Sequence, residues 1–509
     1  MRKSFLLLLF CLFFLSGCSE KNAQKVVHFG LSTDLQSLDV SQLSDGSSIY
    51  IADSVQEGLT RIDSKNQAQP ALASSITASQ DGLTYNIKLR PHLKWSNGDN
   101  LTAPDFIASW KRTLVFQPLV ELKSYKAVSK DKIEIKLNHA DPYFKYVLSM
   151  TNMMPINQKM LAKYGKQYGT TSEKTAYIGP FMFSKSQPWT GTNNQFSLVK
   201  NPNYWDKSAV KSSEISFQRI NNTETGVQLF KEGKLDYTEL DSPELAAAYK
   251  KTASYTIFPE SGTVFFRYNA SGKVPATANT NIRKALNLAT NRQALIGLAA
   301  PTASLAKSFL PAGVATDKNG NDFSKDAVQD YHYNPTEAKE LWLKGLKELH
   351  LSQVNLTLEA SGDKSSRKAM ITYLQTAWQE LLPGLTITLK SPSSEETMAD
   401  IHNKNYDIVL DSWFAGYPDP STFYQIFDSS NLFNSFKSKA YDATIKAATV
   451  AKTPQERDSA YLNCESILYQ QALINPIYCP STVALVNPRL TGFDYYSTIG
   501  WNIKGIYLK

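Results

Sequence analysis

Nucleophilic, metal-assisted and phosphate-transfer chemistry each need particular residues at particular spacings, and none of the familiar arrangements occurs in this chain. No G-x-S-x-G turn lifts a serine out of a strand–helix corner. No glycine-rich loop is built to cradle a phosphate or dinucleotide, and no H-E-x-x-H or C-x-x-C pair offers zinc ligands. The six histidines, His28, His92, His139, His332, His350 and His402, are scattered along the chain. The adjacent carboxylates Glu395 and Glu396 read as solvated charge on a helix. This points away from an enzyme and from any metal or cofactor. What remains is equipment for binding: 26 tyrosines, each with an apolar ring and a polar tip suited to a wet cleft.

One residue does carry covalent chemistry. Arg2 and Lys3 precede the apolar run Phe5 to Leu15, which is too short to span a bilayer, and Leu15-Ser16-Gly17-Cys18 follows. The L-S-G-C run resembles the lipobox of bacterial lipoproteins. It implies cleavage after Gly17, a lipid anchor on Cys18, and a tether over 18–25 that holds the chain on the extracytoplasmic face of the cell membrane. Cys464 and Cys479 then remain, and two separate buried thiols are expected although export permits a disulfide. The net charge of +8 over 509 residues comes without a basic run, so no nucleic-acid partner is indicated.

The elements that must position a binding site follow from periodicity. Strands are expected at Val26–Leu31 and Leu83–Leu89, and a helix at Ile49–Leu59. Thr102 caps a helix carrying Phe106, Ile107 and Trp110. Beyond Asn281 the pattern alternates. A helix over Ile282–Ala300 is followed by another capped by Asn334 with Pro335 at its first position. Strands at Leu356–Glu359, Leu385–Leu389 and Tyr406–Leu410 alternate with helices at Ser365–Leu381 and Ser394–Asn403, the signature of an α/β lobe. The length exceeds one hydrophobic core, so two or three lobes are expected.

Several segments resemble the solute-binding proteins of peptide importers, the oligopeptide and dipeptide binding family. They are Val55-Gln56-Glu57-Gly58-Leu59-Thr60; the block from Asp81-Gly82-Leu83-Thr84-Tyr85 through Lys94-Trp95-Ser96-Asn97-Gly98-Asp99 to Ser109-Trp110-Lys111-Arg112; Lys200-Asn201-Pro202-Asn203-Tyr204-Trp205-Asp206; Asn281-Ile282-Arg283-Lys284-Ala285-Leu286; and Trp413 to Phe423. The resemblance implies an α/β, periplasmic-binding-protein-like fold of the large three-lobed type II form. Lobe I would comprise 26–60, 178–269 and 471–509, lobe II 61–177, and lobe III 270–470. It also implies a monomer that closes lobes I and III around an extended peptide and passes it to the permease subunits of an ATP-driven importer, with no chemical change to the peptide.

Carried onto this chain, the resemblance puts Ser44, Asp45, Gly46 and Ser47 on one side of the ligand and Trp413, Phe414, Ala415, Gly416 and Tyr417 on the other, in an irregular turn after a strand. The alternative for Trp413 and Tyr417 is loop packing. One departure stands out. The family pattern W-x-x-D-Y has an aspartate that meets the peptide ammonium, and here that position is Gly416. Asp419 or Asp411 is the expected substitute. The alternatives are an altered peptide register, a signalling peptide, or a non-peptide ligand such as a metal chelate, haem or sugar.

Overall fold

The computed structural model describes residues 26–43, 46–63, 67–116, 122–141, 143–299, 302–362, 365–496 and 500–509. Cys18, the leader, the tether, Ser44 and Asp45 lie outside these residues.

Two large sheets and one small one organise the chain. The first has seven strands in the order Tyr255–Pro259, Ser481–Val486, Tyr237–Glu239, Val27–Leu31, Glu214–Arg219, Gln195–Lys200 and Phe181–Phe183. Its central strand Val27–Leu31 runs parallel to both neighbours. An aromatic core of Phe29, Phe217, Tyr237 and Trp501 covers one face. The second sheet has six strands, with Gly262–Tyr268 flanked by Ile474–Cys479 and Ile408–Phe414, and Val354–Ala360 beyond them. Every residue of Gly262–Tyr268 is buried because cores lie on both faces: Val264, Phe266 and Tyr268 enter one, and Phe265 the other. Alternation of polarity disappears when both faces are covered. The third sheet is an antiparallel four-stranded one, Ala73–Ala78, Thr84–Leu89, Lys132–Leu137 and Leu122–Ser129, packed on the helix Ala103–Phe116.

Two expected lobe boundaries are corrected. Gly262–Tyr268 and Ile474–Cys479 were assigned by sequence to lobe I, but they pair with each other and with Ile408–Phe414 inside the second sheet. The crossings between sheets therefore fall at 260–261 and at Pro480. Two expected helices also differ. The first runs Gly46–Val55 rather than Ile49–Leu59. It stops because the backbone at Gly58 approaches Leu148 so closely that a Cβ there would lie 2.7 Å from the carbonyl oxygen. The expected Ile282–Ala300 is two helices, Thr280–Leu288 and Arg292–Ala299, with the Asn291 side chain accepting the Ala294 N–H at 3.1 Å to start the second.

Two buried ionisable groups hold the second lobe together. Arg283, only 2% exposed, donates to the carbonyls of Thr277 and Ala278 (both 2.8 Å) and of Gln471 (2.7 Å), tying its helix to the turn before the strand Ile474–Cys479. Burial pulls its guanidinium down to about 10, because the carbonyls satisfy its protons without neutralising its charge. Glu465 has no exposed surface and accepts from the Phe309 N–H at 2.9 Å and the Tyr424 hydroxyl at 2.8 Å. Burial pushes its carboxyl from 4.5 up to about 7, against those hydrogen bonds.

Arg283→Met is expected to lower unfolding free energy by about 2–4 kcal/mol, since it strands several carbonyls at once; denaturant titration measures this. The raised pKa of Glu465 gives folding a contribution that is complete below the unfolded carboxylate value and lost as pH rises through about 7. Glu465→Gln should therefore narrow the difference in Tm between about pH 5 and pH 8, and an unchanged difference would assign that dependence to other groups.

Candidate ligand cleft and its seams

The two large sheets are joined by two adjacent crossings. Strand Tyr255–Pro259 of the first sheet passes through Glu260 and Ser261 into Gly262–Tyr268 of the second, and Ile474–Cys479 passes through Pro480 into Ser481–Val486. The crossings pair with each other: the Glu260 N–H donates to the Pro480 carbonyl at 3.1 Å, Pro259 is opposite Ser481 and Val264 opposite Tyr478. The two sheets are thus joined by a paired two-stranded connection.

On the first lobe, Tyr50 of the helix Gly46–Val55 stands near Glu239 and Glu260, and burial together with these carboxylates pushes its hydroxyl up to about 12. Thr482 donates to Glu260 at 2.9 Å. Gly46 and Ser47 open the same helix, and the Ser47 and Thr33 hydroxyls are hydrogen-bonded to each other. On the second lobe, the Arg367 guanidinium donates to the Ser412 hydroxyl at 2.9 Å, and Tyr478 senses both Arg367 and Glu260.

The irregular turn expected after a strand is present over 415–419, but Trp413 and Phe414 precede it as part of the strand. Trp413 and Phe414 are the last residues of a strand, paired with Thr263 and Gly262. The indole N–H of Trp413 donates to the Thr422 carbonyl at 2.6 Å, and its ring meets Phe433 edge-on at 5.2 Å. Phe414 is 46% exposed, and its ring lies over Gly262 where a Cβ would collide with it. Ala415 is buried and bonded to the Ser261 carbonyl at 2.8 Å, next to the hinge. Gly416 has an ordinary negative-side backbone, and a Cβ there would meet only the Met150 methyl at 3.1 Å. Nothing in its conformation demands glycine.

Asp419 requires a correction. A free carboxylate was expected; instead Asp419 has no exposed surface, and Arg457 grips both its oxygens at 2.7 and 2.8 Å. Burial opposes the charge on Arg457, but Asp419 carries its guanidinium above the ordinary value. Asp411 is likewise engaged, by Arg267 at 2.8 Å. Neither carboxylate is left to neutralise a ligand.

Tyr417 and Arg457 instead belong to a seam between lobes II and III. The Tyr417 ring packs on the lobe II core, and its hydroxyl is 3.0 Å from the Ser421 hydroxyl. Tyr143 of lobe II lies across Arg457, with the guanidinium carbon 4.3 Å from the ring centroid. Nothing in the sequence signals that Tyr143 meets a residue more than 300 positions later.

Lobes I and II are fastened more heavily. Arg112 pairs with Asp39 at 2.7 Å. Thr151 donates to Asp53 at 2.6 Å, Gln56 to the Ala176 carbonyl at 2.9 Å, and Asn203 to the Trp95 carbonyl at 2.9 Å. Inside lobe I, Tyr204 and Trp205 donate to opposite oxygens of the buried Glu57, at 2.7 and 2.5 Å, and Arg61 of lobe II stands 3.6 Å from the same carboxylate. Cys464 and Cys479 are both free thiols, the first buried and the second partly so.

Two α/β lobes on a paired hinge, with a third lobe bolted to one of them, define a hinged ligand-binding protein. Comparison makes the class specific: the chain belongs to the bacterial extracellular solute-binding proteins, family 5, whose "Middle" model matches residues 67–435. It is 45% identical to a dipeptide-binding protein of Lactococcus lactis, over 97% of this chain and 96% of the relative. It is 26% identical to the oligopeptide-binding protein OppA of Bacillus subtilis over 97% and 94%. Listeria monocytogenes OppA bound to peptide superposes with a TM-score of 0.81 at 28% identity, covering 96% of this chain and 99% of that one. The three-lobed α/β fold is thereby established. Among the described residues, no helix is long and apolar enough to cross a membrane.

Tyr143→Ala should loosen the seam between lobes II and III without unfolding either. The expected result is a larger radius of gyration by small-angle scattering and faster proteolysis near 141–146, with a Tm lowered by only a few degrees; an unchanged radius would show that the contact does not hold the lobes together.

Proposed function

We propose that this chain is the extracytoplasmic peptide receptor of an ATP-driven importer, tethered through Cys18 and acting as a monomer that hands its ligand to membrane permease subunits. The observation that carries the proposal is 45% identity, over almost the full length of both chains, to a dipeptide-binding protein. The hinge supports it physically. A peptide laid as an extended strand offers the same backbone donors and acceptors whatever its sequence, and closure over it removes water from each hydrogen bond. The ligand would lie between lobes I and III, against Trp413, Phe414, Ala415 and Gly416 on one side and Gly46 and Ser47 on the other, with Ser44 and Asp45 adjoining in sequence. Phe414, exposed beside the hinge, is the side chain in that segment best placed to meet a guest.

A second reading keeps the fold and changes the ligand. It draws on Gly416 and on the internal pairing of Asp411 and Asp419, which leave this segment without a free anion. Mass spectrometry of cargo retained through native purification separates the two: a ladder of peptide masses supports the first, and a single non-peptide mass replaces it with the second.

Gly416→Asp fits the backbone and displaces only the Met150 methyl. It is expected to tighten peptides with free amino termini by roughly tenfold over their acetylated forms in calorimetry, the worth of one charged hydrogen bond. Equal affinities would put the ammonium away from this segment.

A further inference from the structure

Residues of lobes II and III together line a half-open pocket of about 250 Å³. Asp141, His139 and the apolar Leu137 line it from lobe II; Asp428, Gln425 and Tyr417 face them from lobe III. No lysine or arginine is among its lining residues. Arg457, which stands near Asp141, is held by both oxygens of Asp419.

Each of the two lining carboxylates has one oxygen engaged and one free among the described residues. Asp141 accepts the Tyr143 N–H through Oδ1 at 2.8 Å, and Asp428 accepts the Ser430 N–H through Oδ1 at 2.9 Å. The Ser430 hydroxyl bonds the same Oδ1. Neither forms an ion pair with a described residue. Burial raises the Asp141 carboxyl and Asp419 adds to this, while the Tyr143 N–H, Arg457 and His139 pull it back down. A half-open pocket with two carboxyl groups that each keep one unengaged oxygen, amide and hydroxyl oxygens between them and a partly apolar wall suits a compact cation with several hydrogens to donate and a short hydrocarbon attached. A metal ion would find too few ligands: among the described residues, no group of three or more His, Cys, Asp or Glu is set to hold one.

We propose that this seam cavity is a binding site for a primary alkylammonium group, held between Asp141 of lobe II and Asp428 of lobe III. Because the two carboxylates come from different lobes, the bound cation bridges them and favours the closed arrangement. The group can arrive as a free alkylammonium or as the amino terminus of a peptide in the adjoining cleft, and only the second source rests on the function proposed above.

The test uses Asp141→Asn and Asp428→Asn, singly and together. Asparagine keeps the Oδ1 acceptor of each turn, so folding should be preserved. Thr449→Phe fills the cavity from the lobe III side without touching either charge. Chemical-shift titration with n-butylammonium, against n-butanol as the uncharged control, forms one arm. The other is calorimetry of peptides with free and acetylated amino termini. A free-cation site predicts saturable butylammonium binding, no matching butanol binding, about tenfold weakening in each single variant, and loss in the double variant and in Thr449→Phe. A peptide-terminus site predicts the same losses confined to free-terminus peptides. Wild-type affinities in both arms for the double variant would overturn the proposal. Wild-type peptide calorimetry alone decides the transport reading, so the two can fail separately.

Discussion

The two large sheets are joined through three residues, Glu260, Ser261 and Pro480, and the hydrogen bond from the Glu260 N–H to the Pro480 carbonyl. The crossings lie side by side and stay paired on both sides of the joint. Two separate tethers would let the lobes slide and twist, whereas two strands locked in register act as one narrow ribbon, and motion concentrates into bending. Ala415 bonds directly to Ser261, so the segment facing the cleft is fixed to the hinge itself.

Lobe II follows lobe I because of the chemistry at their boundary. Glu57, a carboxylate in a buried position, is acceptable there only because Tyr204 and Trp205 each donate to it and Arg61 stands 3.6 Å away. Arg61 and Lys504 share Asp206 in turn. Arg112 reaches across to Asp39. The strongest sequence signatures of the chain, the W-K-R helix and N-P-N-Y-W-D, are thus the fasteners of a seam. They identify the fold with confidence and say little about the guest, which is why the family was easier to read than the ligand.

Legibility followed distance along the chain. Local signals were read correctly: Asn334 caps its helix with Pro335 behind it, and Leu83 to Leu89 alternate as a half-buried strand. Signals that depend on remote partners were not. Arg283 lies in a segment quoted only for its family resemblance, yet its guanidinium is held both by the nearby carbonyls of Thr277 and Ala278 and by that of Gln471, nearly 200 positions away. Asp419 looked available until Arg457, 38 positions on, was seen to hold it. The strands Gly262–Tyr268 and Ile474–Cys479 were placed in the wrong lobe because nothing within a strand states which sheet it joins. The Ile282–Ala300 run was read as one helix because its apolar periodicity continues through a break that the caps alone reveal.

The strand Ser481–Val486 sits between Tyr237–Glu239 and Tyr255–Pro259 in the first sheet. It is added not to an outer edge but to an interior gap, some 450 residues after the strand that begins the same sheet. A chain emerging amino end first therefore cannot seal its first lobe until nearly its whole length has appeared. Until then, Tyr237–Glu239 and Tyr255–Pro259 present open backbone to the surroundings. The order of the strands thus works as a built-in delay: maturation of the oldest part waits on the youngest, and during that interval the polypeptide stays soft enough to be threaded, and most in need of protection from its neighbours.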